Sequence, residues 1–296
     1  FEELTGSEIF FRQVGYLFLL DSQADLDLFR ASAQMQQSLG IPVQLLSAQD
    51  ALDRVPQLDV EGILGATFCP LEGYATPEAV VQGYASAARR RGVRVRQGGR
   101  VDRIVVSNGR VAGVDIGDER VSAPAVVCTA GVGSHAVAAT AGVDLPVTAE
   151  ARRIFFSRES GGVADGIPLT VDFATGFYFH REGPGLVFGG REFQPEDLMT
   201  PAVRRLPALG DVPIASSWSG DYDMSPDHNG MVGEAEQVGG LYYATGFSGH
   251  GFMLSPAVGE HLAELITGRT PTIDLVALRA ERFTQPDGRR REPIVI

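Results

Sequence analysis

The sequence contains no lysine: all 25 of its basic residues are arginine. A P-loop needs a lysine amine on the phosphates. Pyridoxal-phosphate and Schiff-base chemistry need one as a nucleophile. Arginine replaces it in neither role, because the guanidinium does not deprotonate in proteins. Cysteine is scarce as well, with Cys69 and Cys128 far apart in apolar surroundings. No CxxC pair exists, which removes thioredoxin and zinc-ribbon motifs, and the pair reads as two buried free thiols. The five histidines, His135, His180, His228, His250 and His261, show no HExxH-like spacing, so no catalytic metal is expected. No apolar run reaches the roughly 18 residues of a membrane span; the longest, Val14–Leu20, reads as a buried strand. No signal peptide is evident, which points to the cytoplasm. A net charge of −12 disfavours nucleic acid and anionic membranes as partners.

What is present suits a soluble enzyme. In 296 residues, 44% are hydrophobic and 21% charged, enough to build one large core or two interleaved ones. The 36 glycines exceed the average share of about 7%, so tight turns or close backbone–ligand approaches are expected. Residues 9–20 read as strand and 24–39 as an amphipathic helix stopped by Gly40, with a short helix opening at Ser47–Leu52. Thr76, Pro77 and Gly92 punctuate a helix as cap, first turn and stop. Val93–Arg96 reads as strand. Val101–Val106 and Arg110–Ile116 flank Asn108-Gly109, a strong hairpin signal. Ala125–Thr129, Arg152–Ser157, Leu169–Phe173, Gly176–His180, Gly185–Gly190, 214–219 and 240–245 read as further strands. A last helix is expected from Ser255 to Thr267, capped by Ser255 and opened by Pro256. The tail from Gln285, with Arg289-Arg290-Arg291, is expected to be exposed. The pattern predicts a mixed α/β or α+β architecture.

Three motifs invite a chemical reading. Gly131-Val132-Gly133-Ser134-His135-Ala136 matches GxGxx[GA] after a strand. The helix after it is too short and Pro146 interrupts the next strand, so a glycine turn beside a cofactor is a better reading than an independent NAD site. Gly246-Phe247-Ser248-Gly249-His250 nearly matches GxSxG, but histidine replaces the final glycine, which argues against a serine nucleophile. Asp221–Asp227 has the acidic spacing of a calcium loop, yet Pro226 replaces the required glycine, so it reads as a turn.

Residues 218–268 carry a more specific signal. The run from Trp218 through Asp227, followed by Gly-Leu-Tyr-Tyr-Ala-Thr-Gly-Phe-Ser-Gly-His-Gly-Phe-Met-Leu-Ser-Pro, closely resembles the C-terminal flavin-binding signature of the FAD-dependent D-amino-acid oxidase superfamily. The nearest branches are the sarcosine oxidase β-subunit and proline dehydrogenase β-subunit group, with glycine oxidase further off. Gly73–Pro77 and Val126–Ser134 match the family's other landmarks. The resemblance implies a doubly wound FAD-binding sheet interleaved with an antiparallel-rich substrate-binding sheet. It divides the chain into substrate segments 1–72 and 151–215, FAD segments 73–150 and 216–270, and a tail 271–296.

The resemblance also has departures. The family's first strand, GxGxxG turn and helix are absent here, which predicts an N-terminally truncated fragment; a separate chain carrying that unit, or loss of FAD, are the alternatives. Gly133 stands where the family usually has tryptophan. Gly220 stands where monomeric sarcosine oxidases attach flavin through cysteine, so the implied FAD is non-covalent.

Carried onto this sequence, the resemblance lays the flavin against Gly246, Phe247, Ser248, Gly249, His250, Gly251, Phe252 and Met253. Val101 and Gly131 join as further cofactor contacts. Arg181 aligns with a carboxylate-binding arginine, and Tyr222 and His250 line the amine. The implied reaction is hydride transfer from the carbon beside a neutral amine, on a substrate such as proline, sarcosine, glycine or dimethylglycine. Met253 occupies the place of a lysine that helps flavin react with oxygen in monomeric sarcosine oxidases, which points to a dehydrogenase passing electrons to a partner subunit, in an oligomer. The competing expectations are a non-catalytic subunit and a different FAD reaction on the same scaffold.

Overall fold

A computed structural model of the chain describes residues 1–284 and 291–294. In chain order the elements are α1 (Glu2–Thr5), β1 (Tyr16–Leu20), α2 (Gln23–Ser38), β2 (Gln44–Leu46), α3 (Ala48–Arg54), β3 (Gly65–Cys69), α4 (Pro77–Arg90), β4 (Arg103–Ser107), β5 (Arg110–Ile116), β6 (Glu119–Ser122), β7 (Val126–Cys128), α5 (Ser134–Ala139), β8 (Thr148–Ser157), β9 (Leu169–Asp172), β10 (Tyr178–Glu182), β11 (Gly185–Gly189), α6 (Pro195–Arg205), β12 (Ile214–Met224), β13 (Met231–Glu234), β14 (Leu241–Thr245) and α7 (Gly251–Ile266). They form two compact units, each built from separated stretches of chain: 1–95 with 152–220, and 96–151 with 221–284 and 291–294.

The first unit is organised on a sheet of order β12-β8-β11-β10-β9-β1-β3-β2. β1 runs parallel to β9, and the β1–β3, β2–β3, β9–β10, β10–β11 and β8–β11 pairs are antiparallel. Strand alternation sends Leu17, Leu19, Phe155, Phe177, Phe179 and Phe188 into one core with Ala51 and Val55 of α3 and Leu198 and Ala202 of α6. On the other side of β1, Phe18 lies 5.1 Å from Phe29 of α2. Arg205 and Asp172 form a buried ion pair at 2.7 Å, with side chains 5% and 3% exposed. Arg205 also donates to the Asp59 carbonyl, which ties α6 to the loop before β3.

The second unit holds the sheets β13-β14-β7 and β4-β5-β6. β14 runs parallel to β7 and antiparallel to β13. Leu241 and Tyr243 point into a core with Cys128, Ala138, Leu145 and Met231. Tyr242 and Ala244 point the opposite way, onto Leu262 of α7. A short sheet with a buried core on both faces is the arrangement expected of a doubly wound α/β unit. The β4–β5 hairpin turns at Asn108 and Gly109, both with positive φ, as Asn-Gly predicts.

The structure departs from the sequence-based expectations in several places, and β2, β3, β6 and α6 are elements the sequence reading did not mark. Strand structure begins at Tyr16, not at residue 9. Val93–Arg96 forms no strand, and Val93 and Val95 are exposed, so their apolar alternation finds no neighbouring strand to pack on. The strand expected at Gly176–His180 is shifted to Tyr178–Glu182. The last helix starts at Gly251, with Pro256 inside it, rather than at Ser255. Pro256 has no N–H to give the Phe252 carbonyl; the Ser255 hydroxyl donates to that oxygen at 2.9 Å instead, so the helix passes through the proline. Of the expected exposed tail, residues 285–290, including Arg289 and Arg290, lie outside the described residues; Arg291 is exposed.

Candidate functional site

In the second unit, β7 and β14 lie side by side and in parallel, so the loops after them emerge at the same edge. Carboxyl ends of parallel strands are where α/β sheets bind ligands. The loop after β7 contains Gly131, and the loop after β14 contains Gly246–His250. The Thr245 hydroxyl joins them by donating to the Gly131 carbonyl at 3.2 Å.

The second loop is held from below by the end of β12 and the turn after it. The Asp223 carboxylate accepts the Gly246 N–H at 2.7 Å, and the Asp223 carbonyl accepts the Ser248 N–H at 3.0 Å. The Ser225 N–H donates to Ser248 Oγ at 3.1 Å. Ser248 is fully buried at a left-handed φ of 52°. Its hydroxyl is a structural acceptor, which disposes of the nucleophile reading. Gly249 has φ 90°, and a Cβ there would lie 2.6 Å from the Tyr222 ring, so this position requires glycine. His250, half-buried, precedes the first turn of α7 and makes no side-chain cap. Phe252, Met253 and Leu254 on that turn are 45%, 59% and 43% exposed.

In the first unit, Arg12 and Tyr74 exchange backbone hydrogen bonds, Arg12 N–H to Tyr74 O at 2.8 Å and Tyr74 N–H to Arg12 O at 3.2 Å. A Cβ at Gly73 would sit 2.0 Å from the Arg12 carbonyl oxygen; glycine there is what allows the approach. Phe10, two residues earlier, holds an unusual φ of 53°. The Tyr74 ring lies on His180, with centroids 4.2 Å apart. Burial raises the Tyr74 pKa, against the pull of the nearby Arg12 charge. Burial lowers the His180 pKa. His180 Nδ1 contacts the Arg181 carbonyl at 2.9 Å; a carbonyl only accepts, so this nitrogen carries the proton and Nε2 is the acceptor.

Arg181 sits on the opposite face of β10 from His180, since successive strand residues alternate. It is 8% exposed. Its Nε donates to Asp165 at 3.1 Å, Nη1 to the Pro184 and Gly185 carbonyls at 3.2 and 3.3 Å, and Nη2 to the Gly183 carbonyl at 3.2 Å. The guanidinium thus closes the β10–β11 turn. Gly131 and Gly246–Met253 come together at the end of the second unit's sheet, with Tyr222 packed on Gly249. Val101, half-buried, precedes β4 in the same unit. Sequence reasoning passed over His180, Tyr74 as a side chain, and Arg12; the signal for the first was its place one residue before Arg181 on an alternating strand.

Comparison with known proteins shows the family. The family model described as "FAD dependent oxidoreductase", DAO, matches residues 1–265. The chain is 24% identical to 4-methylaminobutanoate oxidase (formaldehyde-forming) of Paenarthrobacter nicotinovorans, over 96% of this chain and 37% of that protein. It is 27% identical to human mitochondrial sarcosine dehydrogenase, over 95% of this chain and 34% of that protein. The chain therefore spans about a third of the length of these curated relatives. Among solved structures, L-proline dehydrogenase from P. horikoshii superposes with a TM-score of 0.88 at 27% identity, covering 98% of this chain and 80% of the other. No helix among the described residues is long and apolar enough to cross a membrane. With a family model covering nearly the whole chain and a solved relative sharing its fold, the chain belongs to the DAO family of FAD-dependent oxidoreductases.

Proposed function

We propose that the protein is an FAD-dependent dehydrogenase of a small amino acid or N-methyl amino acid. The observation that carries the reading is the pair of glycine loops at the carboxyl ends of β7 and β14, linked through Thr245 and Gly131. These residues fit the cofactor. The loops present backbone without side chains at Gly131, where a Cβ would meet nothing within 4 Å. The exposed Phe252, Met253 and Leu254 offer apolar surface to a flat ring system. The α7 N-terminus, with no side-chain cap, favours negative charge at such a ring's edge. Gly131 and Gly246–Met253 would hold FAD, which supplies the hydride acceptor when bound.

In the first unit, His180, Tyr74 and Arg12 form a cluster of their own with the chemistry to bind a small amine. A substrate loses hydride from the carbon beside its neutral amine while the nitrogen lone pair forms the C=N bond; water then hydrolyses the imine. His180 Nε2, on a neutral imidazole, can accept a proton or hydrogen bond from the amine. Tyr74 holds that ring in place by stacking on it. Arg181 was aligned with carboxylate binding, but its nitrogens are bonded already, so a substrate carboxylate would compete with three carbonyls and Asp165. Arg12 is exposed and lies close enough to act on Tyr74. We assign carboxylate recognition to Arg12, with Arg181 supporting the strand that carries His180. Tyr222 and His250 keep the role the family resemblance implies for them, as candidates to line the amine.

Met253 and the absence of lysine throughout the chain support transfer of electrons to a partner rather than to oxygen. The test is an amine panel on the intact flavoprotein with oxygen and with an artificial acceptor. Turnover of sarcosine, proline or a related amine with the acceptor, and little with oxygen, is expected. Turnover of none of these amines overturns the substrate class, and fast oxygen consumption overturns the dehydrogenase assignment.

A further inference from the structure

We infer that Arg282, outside the segments that carry the flavin resemblance, is a positioning residue for the Gly246–His250 loop. The inference rests on the reading of that loop as the flavin cradle. Arg282 is 6% exposed and Asp227 is 3% exposed. Arg282 Nε donates to one Asp227 oxygen at 2.7 Å and Nη2 to the other at 2.9 Å. Nη2 also donates to the Asn229 carbonyl at 2.8 Å, and Nη1 to the Leu278 and Arg279 carbonyls at 2.7 and 3.1 Å. All five donors of the fork are used. A buried guanidinium so completely satisfied has one rigid geometry.

Asp227 transmits that geometry. Besides the fork, its Oδ1 accepts the Asn229 N–H at 3.0 Å and lies 3.3 Å from the Ser225 hydroxyl, whose shorter bond, at 2.8 Å, goes to the Asn229 carbonyl that Arg282 Nη2 also holds. Burial alone would raise its pKa; the hydrogen bonds from Arg282, Asn229 and Ser225 outweigh it and hold the carboxyl ionised. Ser225 then reaches the loop, its N–H donating to the buried Ser248 hydroxyl at 3.1 Å. Ser248 needs this support, because a non-glycine residue at positive φ persists only where its surroundings over-determine it. The line runs from Arg282 through Asp227 and the Asn229 carbonyl to Ser225 and Ser248, and ends on the backbone that faces the proposed cofactor. Lysine cannot reproduce the two-pronged contact, so charge alone is not what the position uses.

The test uses the intact protein with Arg282→Met, Arg282→Lys and the double variant Arg282→Met/Asp227→Asn, which leaves no unpaired buried charge. Amide hydrogen exchange of Gly246 and Ser248 is the readout independent of cofactor. Faster exchange there, with β13 and β14 amides unchanged, is expected in the Met and double variants, and an intermediate rate in the Lys variant. FAD affinity is the second readout: a rise in Kd of about tenfold or more is expected for Arg282→Met, the scale of losing a charge-assisted contact. An altered visible-range flavin circular dichroism signal should accompany it. Unchanged exchange at Gly246 and Ser248 overturns the positioning role, as does a drop in melting temperature with loop exchange and FAD affinity both unchanged. Absence of FAD binding by the unmutated protein overturns the cradle reading instead, while the exchange data still decide the role of Arg282.

Discussion

Replacing Arg12 and Arg181 one at a time separates recognition from architecture. Arg12 is exposed, so Arg12→Ala removes a cation without opening the core. If Arg12 binds the substrate carboxylate, the loss is one charge-assisted contact of about 1.5–3 kcal/mol, or roughly 10–100-fold in KM for a carboxylated amine. An amine lacking the carboxylate should be nearly indifferent. Arg181→Ala instead strands the Gly183, Pro184 and Gly185 carbonyls. At about 1 kcal/mol net for each bond, and little for the exposed partner Asp165, this costs about 2–4 kcal/mol. That corresponds to a fall of about 5–15 °C in melting temperature for a unit of this size. Steady-state kinetics on paired substrates, with calorimetry on the same samples, reads both quantities. The reasoning is refuted if Arg12→Ala leaves the ratio of the two KM values unchanged, or if Arg181→Ala raises KM for the carboxylated amine without lowering the melting temperature.

Gly249→Ala should weaken FAD binding severely, since a Cβ 2.6 Å from Tyr222 must displace the ring or the loop; equilibrium titration measures it. Arg205→Met should destabilise the first unit by about 3–5 kcal/mol, because Asp172 would stay buried without its partner; denaturant unfolding checks this. His180 has a folded pKa below its ordinary value of 6.5, so the unfolded chain binds the proton more readily. Stability should therefore fall as pH drops below about 6.5. His180→Gln should flatten that part of the pH–stability curve.

Much of the architecture was legible because local signals agreed with tertiary ones. Pro77 opens α4 and Gly92 follows its end, as read from the sequence, although Thr76 makes no side-chain cap. Asn108-Gly109 turns the expected hairpin. Two misreadings have a clear physical cause: in one a side chain supplied what the backbone lacked, and in the other a neighbour was missing. Pro256 reads as a helix start until Ser255 is seen covering the orphaned carbonyl. Val93–Arg96 has strand composition, but composition does not supply a partner. Within the site, glycine motifs marked the second unit's loops because close approach demands glycine. Arg181 and His180 lie on opposite faces of β10. Arg181 follows the parity of Phe177 and Phe179, which the core fixes. The Arg282–Asp227 contact joins residues 55 apart in the chain, and no local pattern announces it.

The most direct test of the account is a titration of the intact apoprotein with FAD, followed by visible absorption and fluorescence. The account predicts saturable binding of one FAD per chain with a perturbed flavin spectrum, strongly weakened by Gly249→Ala. A flavin spectrum that stays that of free FAD at every protein concentration would contradict it.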